Sequence, residues 1–151
     1  MFKHLIHKFD WYKRIILHKI GIKRKYKISG YSLKIDYTSF LPDFEIQNPF
    51  FNKFLPHLSS YLPKDSFVID VGANVGDTLF GMIGRNINIQ YLCIEADPEF
   101  YSSLLNNIKI LLDSNPNLRI FSANEFVGKD LNNIELGGSG GTKHALSGSG
   151  K

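Results

Sequence analysis

Phe67-Val68-Ile69-Asp70-Val71-Gly72-Ala73-Asn74-Val75-Gly76-Asp77 is the stretch whose reading decides the fold. An apolar run broken once by Asp70 meets two glycines four residues apart, and Thr78-Leu79-Phe80-Gly81-Met82-Ile83 then reads as the opening of a helix. Strand, tight glycine turn and helix, in that order, are how an open α/β sheet presents backbone to a nucleotide-like ligand.

Downstream the pattern repeats. Ile89 to Glu95 reads as a second strand, after a helix from about Asp77 to Arg85. Asp97-Pro98 opens the next helix, with Asp97 as cap and Pro98 in its first turn. That helix carries Phe100, Leu104, Leu105, Ile108, Leu111 and Leu112 as its expected inner side, and Asn115-Pro116-Asn117 ends it. Leu118 to Ala123 is a third strand, with Phe126-Val127 as its continuation. Strands alternating with helices predict an α/β fold with a parallel sheet and right-handed crossovers.

Upstream, Met1 to Ile20 has apolar residues at spacings of three and four, and lysines and an arginine over much of the rest, so it predicts a basic amphipathic helix. Tyr26 to Tyr37 alternates around Ser29-Gly30, a hairpin signal. Leu41-Pro42-Asp43 reads as a break, Asn48-Pro49 as a capped helix start, and Pro56 as a kink or division of the helix up to Leu62. His57 reads as a surface residue. The expected units are an extension over 1–47, a cofactor-binding domain over 48–136, and a Gly/Ser-rich loop or truncated end over 137–151. That last stretch is no Walker A loop, since Lys143 follows Thr142 where a glycine is required.

A length of 151 residues with 43% hydrophobic content suits one globular domain. The single Cys93 excludes an intramolecular disulfide and a cysteine-built metal centre, and the five histidines lack ligand spacing. The net charge of +4 is uneven: Met1 to Lys27 holds nine Lys or Arg against Asp10 alone, leaving nine basic against 13 acidic residues elsewhere. The domain is thus no nucleic-acid binder by charge. No apolar run reaches the roughly 18–20 residues of a membrane span, and there is no signal-peptide core. A cytoplasmic setting is expected. The basic arm over 1–27 reads either as a helix resting on an anionic membrane surface or as one packed on its own domain.

The glycine turn narrows the ligand. Gly72 and Gly76 remove side chains where a ligand approaches backbone. Glu95, 19 residues beyond Gly76, is placed to accept hydrogen bonds from both hydroxyls of an adenosine ribose. A dinucleotide fingerprint would need Gly where Asn74 stands and Gly or Ala where Asp77 stands. Asp77 repels a pyrophosphate, whereas Asp70 and Asp77 favour the ammonium and sulfonium of S-adenosylmethionine. Charge therefore prefers that cofactor over NAD.

These residues resemble the FkbM-type family of S-adenosylmethionine-dependent methyltransferases. Val68-Ile69-Asp70-Val71-Gly72-Ala73-Asn74-Val75-Gly76-Asp77-Thr78 is similar to its first motif. Glu95, Asp97, Pro98, Phe100, Leu104 and Asn107 resemble its acidic motif and following helix, and Gly140-Gly141-Thr142 a later segment. The resemblance spans roughly Phe50 to Lys143. It implies the Rossmann-like, doubly wound class I methyltransferase fold of seven strands, and methyl transfer to a hydroxyl on a sugar or glycan-like acceptor. It also implies that backbone from Gly72 through Ala73 and Asn74 to Gly76 holds the methionine end. Glu95 then takes the ribose, Ala96 and Asp97 lie beside the adenosine, and Ala123 and Asn124 border the adenine. The family pattern needs further strands, so the sequence reads as its N-terminal and cofactor-binding part. No catalytic base stands out; His144 lies in the Gly-rich stretch. The rivals are a NAD-dependent oxidoreductase and a truncated, inactive cofactor-binding module.

Overall fold

The computed structural model describes residues 2–128, 134–137 and 144–147, with side chains placed for 9–50 and 53–128. Helix α1 (Phe2–Lys19) leads into the hairpin β1 (Lys23–Ile28) and β2 (Tyr31–Asp36). Two short helices follow, α2 (Leu41–Gln47) and α3 (Phe51–Ser60). Then come β3 (Phe67–Val71), α4 (Asp77–Ile83), β4 (Gln90–Ile94), α5 (Pro98–Ser114) and β5 (Arg119–Ala123). The last two strands, β6 (Ile134–Gly137) and β7 (His144–Ser147), pair with each other antiparallel.

Strands β3, β4 and β5 form a parallel sheet in that spatial order, with Asp70 beside Cys93 and Cys93 beside Ser122. Successive strands are laid down in one direction, so right-handed crossovers place α4 and α5 on the same face. Tyr91 and Cys93 point into that face and are buried with Leu79, Ile83, Leu104, Ile108 and Leu111 in one core. The opposite face carries Phe67, Ile69, Val71 and Phe121, each more than half exposed. Parallel sheets are ordinarily covered on both faces. The described residues cover one face, and β3, β4 and β5 form the three-stranded parallel sheet of an α/β fold.

The hairpin belongs to the same core. Ser29 (φ 50°) and Gly30 (φ 88°) both adopt left-handed backbone, the turn that matches the twist of paired strands. Alternation then sends Ile28, Leu33 and Ile35 inward, where they are buried in that core, and Lys25, Lys27 and Lys34 outward. At the tip, Ser29 Oγ donates to Gly81 O of α4 at 3.3 Å. On the other side of α4, Leu55 of α3 rests on Gly81; a Cβ there would lie 2.7 Å from Leu55 Cδ1.

Several local expectations are corrected. Leu41-Pro42-Asp43 does not break the chain but opens α2, because proline in a first turn forfeits only a donor without a partner. Asn48 does not cap α3. Its backbone N–H and its Nδ2 both donate to Phe44 O, at 2.8 and 3.0 Å, and so it closes α2. Helix α3 starts after Phe50 without a side-chain cap and runs through Pro56 undivided. On α5, Leu105 faces outward and Asn107 inward. Phe126-Val127 does not extend β5, and 144–147, expected within a loop, is a strand. Gly140-Gly141-Thr142 and Lys143 lie outside the described residues.

Candidate functional site

The glycine turn leaves β3 and immediately bonds back to the sheet. Gly72 N and Ala73 N both donate to Ile94 O, at 2.8 and 3.0 Å, and Gly76 N donates to Ala73 O at 2.8 Å. Asn74 N donates to Glu95 Oε2 at 2.7 Å. These four N–H groups are committed within the protein, so they do not form the open cradle of donors that a pyrophosphate needs. The two glycines do different work. Gly72 (φ 80°) has open space where a Cβ would stand, whereas a Cβ on Gly76 (φ 95°) would lie 3.0 Å from Leu104 Cδ1. Gly76 thus lets α4 begin close against α5.

Glu95, just past β4, is buried and joins two ends of the site. Its Oε2 holds Asn74 N and its Oε1 accepts from Asp97 N at 2.8 Å. Asp97, also buried, accepts from Glu99 N and Phe100 N at 3.0 Å each and caps α5 as expected. A carboxylate has about four lone-pair positions. Two are occupied here, which leaves capacity for two hydroxyls. Asn124 donates from Nδ2 to Glu95 O and Ala96 O, at 2.7 and 3.2 Å, binding the end of β5 to that of β4. Ala96 is half-buried beside them.

Asp70 points to the helix-covered side of β3, and its Oδ2 is buried without a hydrogen-bond partner among the described residues. Burial first, and then the neighbouring Glu95, push its carboxyl above the ordinary range. Asp77, the first residue of α4, is pushed up to about 6, by burial and then by Asp70. Glu45 of α2 is raised by burial and then by Asp77, and its Oε1 is likewise buried without a partner. Asp70, Asp77 and Glu45 are thus raised chiefly by burial and each then by one acidic neighbour, and among the described residues none of them enters an ion pair. Such a group fits a cation. Among the described residues no cluster of His, Cys, Asp and Glu suits a metal ion. Burial and Asp70 push the Cys93 thiol up to about 12, which keeps it protonated and inert.

A cleft of about 640 Å³ opens beside the turn, lined by Asn74, Val75, Pro98, Glu99, Phe100 and residues of the hairpin's far end. Asn107, which the sequence offered only as part of a motif resemblance, holds the elements around the turn together. Asn107 of α5 is fully buried; its Oδ1 accepts from Lys34 N at 2.7 Å, and its Nδ2 donates to Lys34 O and Val75 O at 3.0 and 2.9 Å. One side chain thus fastens hairpin, helix and glycine turn together. A polar residue at a core position of the helix period was the available signal. Glu45 carried none, because its approach to Asp77 depends on how α2 packs.

No protein-family model and no curated protein matches the chain. A solved structure, a Pyrococcus horikoshii protein described as a "putative transferase", is similar at 19% identity over 66% of this chain, with a TM-score of 0.45. The chain spans 36% of that protein's length. A likeness of that size does not establish a shared fold, so the α/β architecture rests on the strand order and crossovers above.

Proposed function

We propose that the protein binds S-adenosylmethionine at the glycine turn and serves as an O-methyltransferase of the class I type. The observation that carries this reading is the buried Asp70 Oδ2, which has no hydrogen-bond partner among the described residues, with Asp77 and Glu45 also raised beside it. A cationic ligand relieves that cost, and an anionic one increases it. The committed N–H groups of Gly72, Ala73, Asn74 and Gly76 argue against NAD in the same direction.

In this reading Asp70 and Asp77 favour the positive end of the cofactor, and Glu95 takes the ribose hydroxyls on its free lone pairs. Asp97, Ala96 and Asn124 shape the adenosine side, while Asn107 holds the turn in place. When bound, the cofactor supplies a methyl group on a positively charged sulfur. Transfer to an alcohol oxygen demands in-line positioning and acceptance of the hydroxyl proton. The hydroxyl of a sugar or glycan-like acceptor follows from the family resemblance. The open sheet face favours a second reading, a cofactor-binding module that turns over no acceptor by itself.

Calorimetry with S-adenosylmethionine, S-adenosylhomocysteine and NAD is the test. The expected result is binding of the first two and none of NAD, with Asp77→Asn weakening the sulfonium compound more than the uncharged thioether. Tight NAD binding would sink the proposal. Methyl transfer from labelled cofactor to glycan acceptors separates the enzyme from the silent module.

A further inference from the structure

Helix α1 turns Arg14 and His18 to the protein, with Ile15 and Leu17 half-buried, and leaves an apolar stripe in water. Arg14 and His18, four residues apart and so on one face, reach Asp43 and Asp36 at 3.2 and 2.9 Å. At 100° per residue, Phe9, Tyr12 and Ile16 fall on the opposite side, and they are 77%, 60% and 58% exposed. Ile20, in the turn that ends the helix, is 63% exposed. A helix packed on its own domain buries such a stripe.

The stripe has basic borders. Lys13, four residues after Phe9, and Lys19, three after Ile16, flank it and are exposed. The next element adds Lys25 and Lys27 on the outward side of β1. Among the described residues none of these four lysines enters an ion pair. The nearby acids are engaged by other groups: Asp36 by His18 and Lys23, Asp10 and Asp43 by Arg14. Among the described residues no helix is long and apolar enough to cross a membrane.

We propose that α1 docks the protein on an anionic lipid surface, with Phe9, Tyr12, Ile16 and Ile20 at the acyl boundary and Lys13 and Lys19 at the lipid phosphates. An apolar stripe with aromatic residues and flanking lysines is the chemistry of a helix lying in the headgroup layer. Two-sided lysine flanks match a surface of phosphates that extends past both edges of the stripe.

The test is co-sedimentation of the full chain with vesicles of phosphatidylcholine alone and of phosphatidylcholine mixed with phosphatidylglycerol. The expected result is binding to the mixed vesicles that weakens with salt, and little to the neutral ones. Each lysine near such a surface is worth about fivefold, so Lys13→Glu with Lys19→Glu lowers the affinity more than about tenfold. Ile16→Ser lowers it about tenfold through lost apolar contact. Both variants keep the wild-type unfolding temperature, because these positions are exposed. Absence of binding to the mixed vesicles overturns the proposal, as does equal binding by Ile16→Ser. Sedimentation velocity showing that the wild type self-associates and Ile16→Ser does not also overturns it, because the stripe would then be a contact between copies.

Discussion

Replacing Asn107 by leucine tests how the site is held. The two side chains are similar in size, so the change removes hydrogen bonds with little change of volume. Three backbone groups lose their partner: Lys34 N, Lys34 O and Val75 O. A buried polar group without a partner costs about 1–3 kcal/mol. The bonds to Lys34 are only part-buried, so water can reach those groups, and they count at the low end; Val75 O is buried and counts near the middle. Leucine regains about 1 kcal/mol of apolar burial. The net loss is about 3 kcal/mol, against a total stability of about 5–15 kcal/mol for a domain. With a urea slope near about 2 kcal/mol/M, the midpoint falls by about 1.5 M. Hydrogen exchange adds a local reading, since the Lys34 amide loses protection along with its acceptor. The neighbour Asn106, whose Nδ2 donates to Ser102 O on an exposed surface, is the control, and Asn106→Leu changes stability by less than about 0.5 kcal/mol. A midpoint for Asn107→Leu within about 0.5 M of wild type, with the Lys34 amide still protected, would refute the claim that this side chain fastens the hairpin to the turn.

The remaining predictions concern the turn and its acids. Glu95→Gln places an amide donor against one of two backbone donors, Asn74 N or Asp97 N, and is expected to cost about 2 kcal/mol in chemical unfolding. The same variant weakens S-adenosylmethionine at least about tenfold by calorimetry, and unchanged affinity removes Glu95 from the site. Asp77 is raised to about 6, so the folded protein keeps a proton there that the unfolded chain gives up. Stability from this group is therefore lost as pH rises from about 4 through about 6, and Asp77→Asn flattens that part of the urea-midpoint profile. Cationic-ligand affinity moves the other way, rising with pH through the same window; a flat profile contradicts the assigned burial. Gly72→Ala and Gly76→Ala both force alanine into left-handed backbone, at about 1–2 kcal/mol each. Gly76→Ala costs more, because its Cβ meets Leu104 whereas that of Gly72 meets nothing; equal losses in unfolding temperature would refute that packing.

What the sequence by itself determined is local. Period-two alternation placed the hairpin around Ser29-Gly30, and the apolar runs placed β3, β4 and β5. Asp97-Pro98 marked the start of α5, because cap and first-turn chemistry involve only neighbours along the chain. Local signals also misled where one residue type serves two roles: Pro42 opens a helix as readily as it ends one, and Asn48 closes α2 although it reads as a start for α3. Asp97 was legible as a helix cap from position alone, but the sharing of Glu95 between Asn74 N and Asp97 N was not.

Only the tertiary structure decided which apolar faces are covered and which polar groups meet. Burial is a property of the pair of surfaces in contact. Phe67, Ile69 and Val71 read the same in sequence as a strand buried on both sides, yet stand in the open. Leu105, expected inside, faces outward, and Asn107 is buried where β2 and the glycine turn offer backbone groups to bond. The glycine turn stands at the centre of the candidate site. The charges around it come from residues distant along the chain, Glu95 acting on Asp70 and Asp77 on Glu45, and they add only once the fold has brought them together.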